Sequence, residues 1–111
     1  MAKILILLTL LLSSVTFEAS CKTLFIGDSH SVGIFGKKFD SLLRNNEKSV
    51  VTHTSCGAVA RWFRNGQKTS CGYFFRDEGG QITSGKSAKT PIIDKTLTEY
   101  NPDTVVVELG G

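Results

Sequence analysis

Residues 23–36 read TLFIGDSHSVGIFG, and this stretch decides the fold. Thr23 to Ile26 is a short apolar run closed by Gly27, which predicts a buried strand. From Ser31 onward the apolar residues recur at helical spacing, which predicts a helix with one apolar face. That face comprises Val32, Phe35, Phe39, Leu42 and Leu43. Ser29 is therefore expected where a strand passes into a helix.

Two interpretations of Ser29 follow from this position. The first amides of a helix have no partner inside the helix and carry the positive end of its dipole. A serine there can present its hydroxyl beside backbone donors that stabilise an oxyanion. Alternatively, Asp28 or Ser29 simply caps the helix and Gly27 supplies a tight turn.

Residues 1–20 are expected to be a secretory signal peptide, because Lys3 precedes the apolar run from Ile4 to Leu12. That run is too short to span a bilayer. Small residues at 19 and 20 offer a cleavage site. Cys21 would instead be a lipidated N-terminus in a lipoprotein, and membrane contact is expected only in that case. Residues 21–111 then form one small domain of an exported, periplasmic or secreted protein.

Charge and cysteine content narrow the partners and the compartment. The chain has 13 Lys and Arg against 10 Asp and Glu. The basic residues form no stripe interleaved with aromatic residues, so no nucleic-acid partner is predicted. In an exported chain, Cys56 and Cys71 are expected to form a disulfide, with Cys21 left over. The alternative is a pair of free buried thiols.

The rest of the chain alternates strands and helices. Ser49 to Thr54 predicts a second strand, followed by Gly57, whose missing side chain would let a backbone amide approach a ligand. Residues 104–109, TVVVEL, predict a third strand of the kind buried in a parallel sheet. Helices are predicted over 58–65 and after Thr90, with Thr90 as N-cap and Pro91 at the first helical position. This order predicts an α/β fold, a parallel three-layer sandwich with ligands at the carboxyl ends of its strands.

Residues 66–89 are predicted to be an irregular insertion or a hairpin turning at Glu78 to Gly80. Within it, Gly80 to Ser87 matches the phosphate-loop pattern. No buried strand leads directly into that match, and Pro91 follows too soon for the required helix. Nucleotide binding is therefore not predicted.

Gly27-Asp28-Ser29 resembles the first block of the SGNH or GDSL-type hydrolases, a flavodoxin-like family of esterases. Gly57 resembles the glycine of the second block. Gly110-Gly111 resembles the opening of the third block, Gly-x-Asn-Asp. The resemblance implies that Ser29 is a nucleophile that forms an acyl-enzyme, with the amides of Ser29 and Gly57 in the oxyanion hole. Gly27, Asp28, Gly110 and Gly111 would support the motif, and neither a cofactor nor a metal is expected.

The resemblance places the general base in a late Asp-x-x-His block, which neither His30 nor His53 matches. By this resemblance, residues 21–111 are expected to be the N-terminal part of such a domain, truncated after the third strand. The chain as written is therefore expected to be inactive, since loss of a triad member removes most of the rate enhancement. The expected substrate is an acyl or acetyl ester, on a small molecule or on an envelope or extracellular carbohydrate. The alternatives are a decayed fragment and a non-catalytic glycan-binding domain that uses Arg61, Trp62 and Tyr73.

Overall fold

The structure, a computed structural model, describes residues 21–47 and 49–110. The predicted signal peptide lies outside these residues, as does Gly111. The described elements, in chain order, are β1 (Lys22–Gly27), α1 (Ser29–Val32), α2 (Ile34–Asn46), β2 (Ser49–Ser55), α3 (Ala60–Asn65), β3 (Lys68–Thr69), β4 (Tyr73–Arg76), β5 (Ile82–Gly85), β6 (Ala88–Lys89), α4 (Ile93–Tyr100) and β7 (Thr104–Glu108).

The main sheet has the strand order β5-β4-β2-β1-β7. Strand β1 pairs in parallel with β2 and with β7, so that Ile26 lies opposite His53 on one side and Val107 on the other. The α/β class with a parallel core is therefore confirmed. The sheet as a whole is mixed, because β4 pairs antiparallel with β2 and β5 antiparallel with β4.

The segment expected to be an irregular insertion is thus largely ordered. Its hairpin turns between β4 and β5, where the amide of Asp77 donates to the carbonyl of Gln81 and Gly80 adopts φ +88°. The residues that match the phosphate-loop pattern form this turn and strand β5, and the next helix begins only at Ile93. They therefore lack the strand-loop-helix geometry that a phosphate loop requires.

Helices cover both faces of the sheet. On one face, Phe39 of α2 packs edge-on against Phe25 of β1, with ring centroids 4.9 Å apart. On the other face, α3 and α4 bury an apolar cluster over β1 and β2. Its buried members are Leu24, Ile26, Val51, Ala58, Phe63 and Tyr100. The helices therefore leave β1 shielded on both faces.

The single helix expected after Ser29 is broken at Gly33, and this corrects the prediction. Gly33 has extended backbone angles and separates α1 from α2. Phe35 and Leu42, expected on the buried face, are 56% and 59% exposed. The break rotates α2 relative to α1, so one helical wheel cannot describe both.

Asp40, expected to lie largely off the apolar face, is fully buried beneath α2. Its carboxylate pairs with Arg44 at 2.9 Å and with Arg76 at 2.8 Å, and it accepts a hydrogen bond from Thr52 at 2.5 Å. These contacts join α2 to β2 and to the β4–β5 hairpin. A buried carboxylate is tolerated here because two guanidinium groups compensate its charge.

Two further predictions need correction near the end of the chain. Helix α4 starts at Ile93 with Ile92 as its N-cap, rather than at Thr90 and Pro91. Thr90 is instead buried, and its hydroxyl donates to Ser55 Oγ at 3.2 Å. Strand β7 pairs on one side only within the described residues, so Val105 and Val107, expected to be buried, are 39% and 56% exposed.

Candidate functional site

The turn between β1 and α1 presents Ser29 at the carboxyl end of β1, the middle one of the three parallel strands. Asp28 caps α1, because its Oδ1 accepts from the amide of His30 at 3.0 Å and its carbonyl accepts from the amide of Ser31 at 3.0 Å. Ser29 is the first residue of the helix and is exposed. Of the two residues expected as a cap, Asp28 has that role, which leaves the Ser29 side chain facing solvent.

Asp28 also ties this turn to the end of β7. Its amide donates to the carbonyl of Glu108 at 3.1 Å, and its Oδ2 accepts from the amide of Gly110 at 3.0 Å. Asp28 as a whole residue is 5% exposed. Gly110 adopts φ +92°, a conformation that side chains rarely allow. The Gly110 amide therefore supports the turn rather than pointing to a ligand.

Ser31 and Glu108 are site residues that sequence reasoning missed. Ser31 is fully buried and donates from Oγ to Glu108 Oε1 at 2.7 Å. A Cβ on Gly27 would overlap the Ser31 side chain, so the glycine is needed for α1 to lie against the strand. The available sequence signal was a glutamate closing an otherwise apolar strand.

Gly57 lies at the carboxyl end of β2 and is exposed, with φ +82°. It follows Cys56, which forms the predicted disulfide with Cys71. The amide of Cys56 donates to the carbonyl of Gly72 at 2.8 Å. Because β1, β2 and β7 are parallel, the residues that follow them, Ser29, Gly57 and Gly110, share one edge of the sheet. The disulfide is confirmed; Cys21 is a free, exposed cysteine.

Trp62 borders this edge. A Cβ on Gly57 would lie 3.4 Å from Cη2 of Trp62 and 3.9 Å from Sγ of Cys71. The neighbouring residue Arg61 is exposed. Tyr73 is half-buried on β4 and packs on Phe75, with ring centroids 4.7 Å apart. The structure thus brings Trp62 to Gly57, while the Tyr73 ring belongs to the hairpin.

The two histidines lie in different environments. His30 follows Ser29 in α1 and is exposed, and consecutive helical side chains diverge by about 100°. His53 lies on β2 with its ring 5.7 Å from that of Phe75. Burial lowers the pKa of His53 from 6.5 to about 4, so its imidazole is neutral at neutral pH and a weak base.

The direction in which the chain winds along the sheet reverses at β1. From β1 the chain passes by way of α1 and α2 to β2 on one side, and from β2 it returns by way of α3 and α4 to β7 on the other side. In open α/β sheets, ligands bind at the carboxyl ends of strands where the winding reverses in this way. Ser29 follows β1, the strand at which the winding reverses here.

Among residues 21–47 and 49–110, no cluster of three or more His, Cys, Asp or Glu side chains could hold a metal ion. In the same residues, no helix combines the length and the apolar character that a bilayer span requires. No protein-family model, curated protein or solved structure is significantly similar to this chain.

Proposed function

We propose that Ser29 is the nucleophile of an exported serine hydrolase that acts on an acyl or acetyl ester, with a fold of the flavodoxin-like SGNH type. The observation that carries this proposal is the exposed serine at the start of a helix, at the carboxyl end of a central parallel strand where the sheet winding reverses. The amides of His30 and Ser31 are bonded to Asp28, so the amide of Ser29 is the backbone donor that this proposal assigns to an anion here.

The oxyanion site of this proposal is formed by the amides of Ser29 and Gly57. Gly57 has no side chain to obstruct a substrate oxygen, and the disulfide beside it restrains its backbone. Asp28 holds the other half of the site, because it binds both the α1 amides and Gly110. In this arrangement Ser29 attacks the ester carbonyl, the alcohol leaves and a serine ester remains until water hydrolyses it.

A general base is required for turnover, and in this proposal neither histidine of the chain provides it. His30 diverges from Ser29, and His53 has a pKa of about 4 and packs against Phe75. Residues 1–111 alone are therefore expected to be acylated slowly and to show little turnover, since removal of a triad member costs most of the catalysis.

The test is acylation by excess 4-nitrophenyl acetate, followed by peptide mass spectrometry. We expect acetylation at Ser29 ahead of other serines, acceleration when imidazole is added as an external base, and loss of that acetylation in Ser29→Ala. Ser41→Ala, an exposed serine on α2, is the matched control and should leave acetylation at Ser29 unchanged. Equal acetylation of Ser29 and Ser41 would contradict the nucleophile assignment.

A second candidate, a non-catalytic glycan-binding domain, is favoured by the position of Trp62 against Gly57. An indole ring at this edge of the sheet can pack on a sugar ring while Arg61 donates hydrogen bonds. This candidate predicts that Trp62→Ala abolishes glycan binding and that Ser29→Ala does not. The hydrolase proposal predicts instead that acetylation by 4-nitrophenyl acetate depends on Ser29.

A further inference from the structure

A groove of about 420 Å³ lies between the end of α3 and the start of α4. Its walls combine amide and hydroxyl groups, aliphatic surface and two ammonium groups. The residues that provide these are Asn65, Thr96, Pro91, Ile92, Lys89 and Lys95. Glu99 is the acidic residue in the wall. We call this feature the basic groove.

A second lysine lies beside Lys89. In the two-stranded sheet of β3 and β6, Lys68 is directly opposite Lys89, and both side chains are exposed. Directly opposed residues in an antiparallel pair have Cα atoms only about 5 Å apart, and like charges at such positions are destabilising. The ion pairs found in the described part of the chain are both made by Asp40, so neither Lys68 nor Lys89 forms an ion pair there.

The groove is attached to the same sheet edge as Ser29 and Gly57. The hydroxyl of Thr69 on β3 donates to the carbonyl of Cys56 at 2.8 Å. Thr90, which follows β6, donates to Ser55 at the end of β2. The lysine pair is therefore fixed to the ordered core, although β3 and β6 contain two residues each.

We propose that the basic groove binds a carboxylate-bearing polysaccharide. Lys89 in the groove wall and Lys68 opposite it supply positive charge that an anionic chain neutralises. Asn65 and Thr96 offer hydrogen bonds to sugar hydroxyls. Ile92 is 42% exposed and provides apolar surface for a sugar ring. The proposal concerns binding alone and does not depend on the chemistry of Ser29.

The lining favours a carbohydrate over a nucleic acid. No aromatic side chain is among the residues that line the groove, whereas single-stranded nucleic acids bind where bases stack on aromatic rings. The neighbouring disulfide also indicates an oxidising compartment, as expected of an exported protein.

The test measures binding of fluorescein-labelled oligogalacturonate to the full chain by fluorescence anisotropy. We expect affinity to fall with rising salt, and the Lys68→Gln, Lys89→Gln double variant to bind about tenfold more weakly. Lys38→Gln, an exposed lysine on α2, is the matched control and should bind like the unaltered chain. A methyl-esterified oligomer, which lacks the charge, should bind weakly.

A second readout separates binding from a structural role. Lys68→Gln removes the repulsion with Lys89, so the unliganded variant should melt at a higher temperature than the unaltered chain while binding the oligomer more weakly. The proposal is overturned if the oligomer does not bind, if the double variant binds it equally well, or if the methyl-esterified oligomer binds as tightly. Tighter binding of single-stranded DNA than of oligogalacturonate would also overturn it.

Discussion

At Gly36 the two parts of the broken helix touch, because a Cβ there would overlap the carbonyl oxygen of Ser31. We expect Gly36→Ala to lower the free energy of unfolding by about 1 to 3 kcal/mol, the usual cost of overpacking. Gly33→Ala is the matched control, since a Cβ at Gly33 meets nothing within 4 Å. Urea denaturation measures both variants, and equal stabilities would contradict the proposed α1–α2 contact.

Individual site residues were predictable where the signal was local. A strand-to-helix turn is predicted at Gly27, Asp28 and Ser29, because each of these residue types has a defined backbone preference. Ser31 and Glu108 were missed because their hydrogen bond joins positions 77 residues apart, and no local pattern carries that information. The close contact of Gly36 with Ser31 likewise depends on the break at Gly33, which the helical spacing of the apolar residues does not predict.

Among the elements, α2 is joined to the hairpin through the buried carboxylate of Asp40. We expect Asp40→Ala to destabilise the fold by about 3 to 5 kcal/mol, because the guanidinium groups of Arg44 and Arg76 lose their carboxylate and keep only backbone carbonyls as partners. Asp94→Ala, at an exposed position in the first turn of α4, is the comparison variant. Chemical denaturation of both proteins provides the measurement, and a similar small effect in each would show that the buried pairs contribute little.

The order of strands and helices was predictable because hydrophobic periodicity reports on local burial. The sequence did not predict that the β4–β5 hairpin joins the main sheet. The pairing of β4 with β2 depends on tertiary contacts, which local sequence patterns do not report. The predicted start of α4 was wrong for a related reason. Thr90 has the chemistry of an N-cap, but its hydroxyl binds Ser55 and its amide binds the carbonyl of Gln67.

For the whole molecule, His53 predicts how stability depends on pH. Burial lowers its pKa to about 4 in the folded chain, whereas the unfolded chain has the ordinary value of 6.5. Between these pH values the unfolded state binds more protons than the folded state. The contribution of His53 to the free energy of unfolding is therefore fully present above pH 6.5 and is lost as the pH falls toward 4. This contribution is on the order of 3 kcal/mol.

Urea denaturation across this pH range measures the effect. His53→Gln should flatten the pH dependence between 6.5 and 4, whereas His30→Gln, at an exposed position, should preserve it. If the unaltered chain and His53→Gln lose stability in parallel over this range, His53 is not the group responsible.

The link from Asp28 to Gly110 also has a consequence for the folding pathway. These residues are 82 positions apart. The hydrogen bond from the Gly110 amide to Asp28 can form only after β7 has paired with β1. Contacts between distant positions carry the cost of closing a long loop, so they tend to limit the folding rate. The first strand of the domain is thus made early during synthesis, but the Ser29 turn is completed only when the last described strand has joined the sheet.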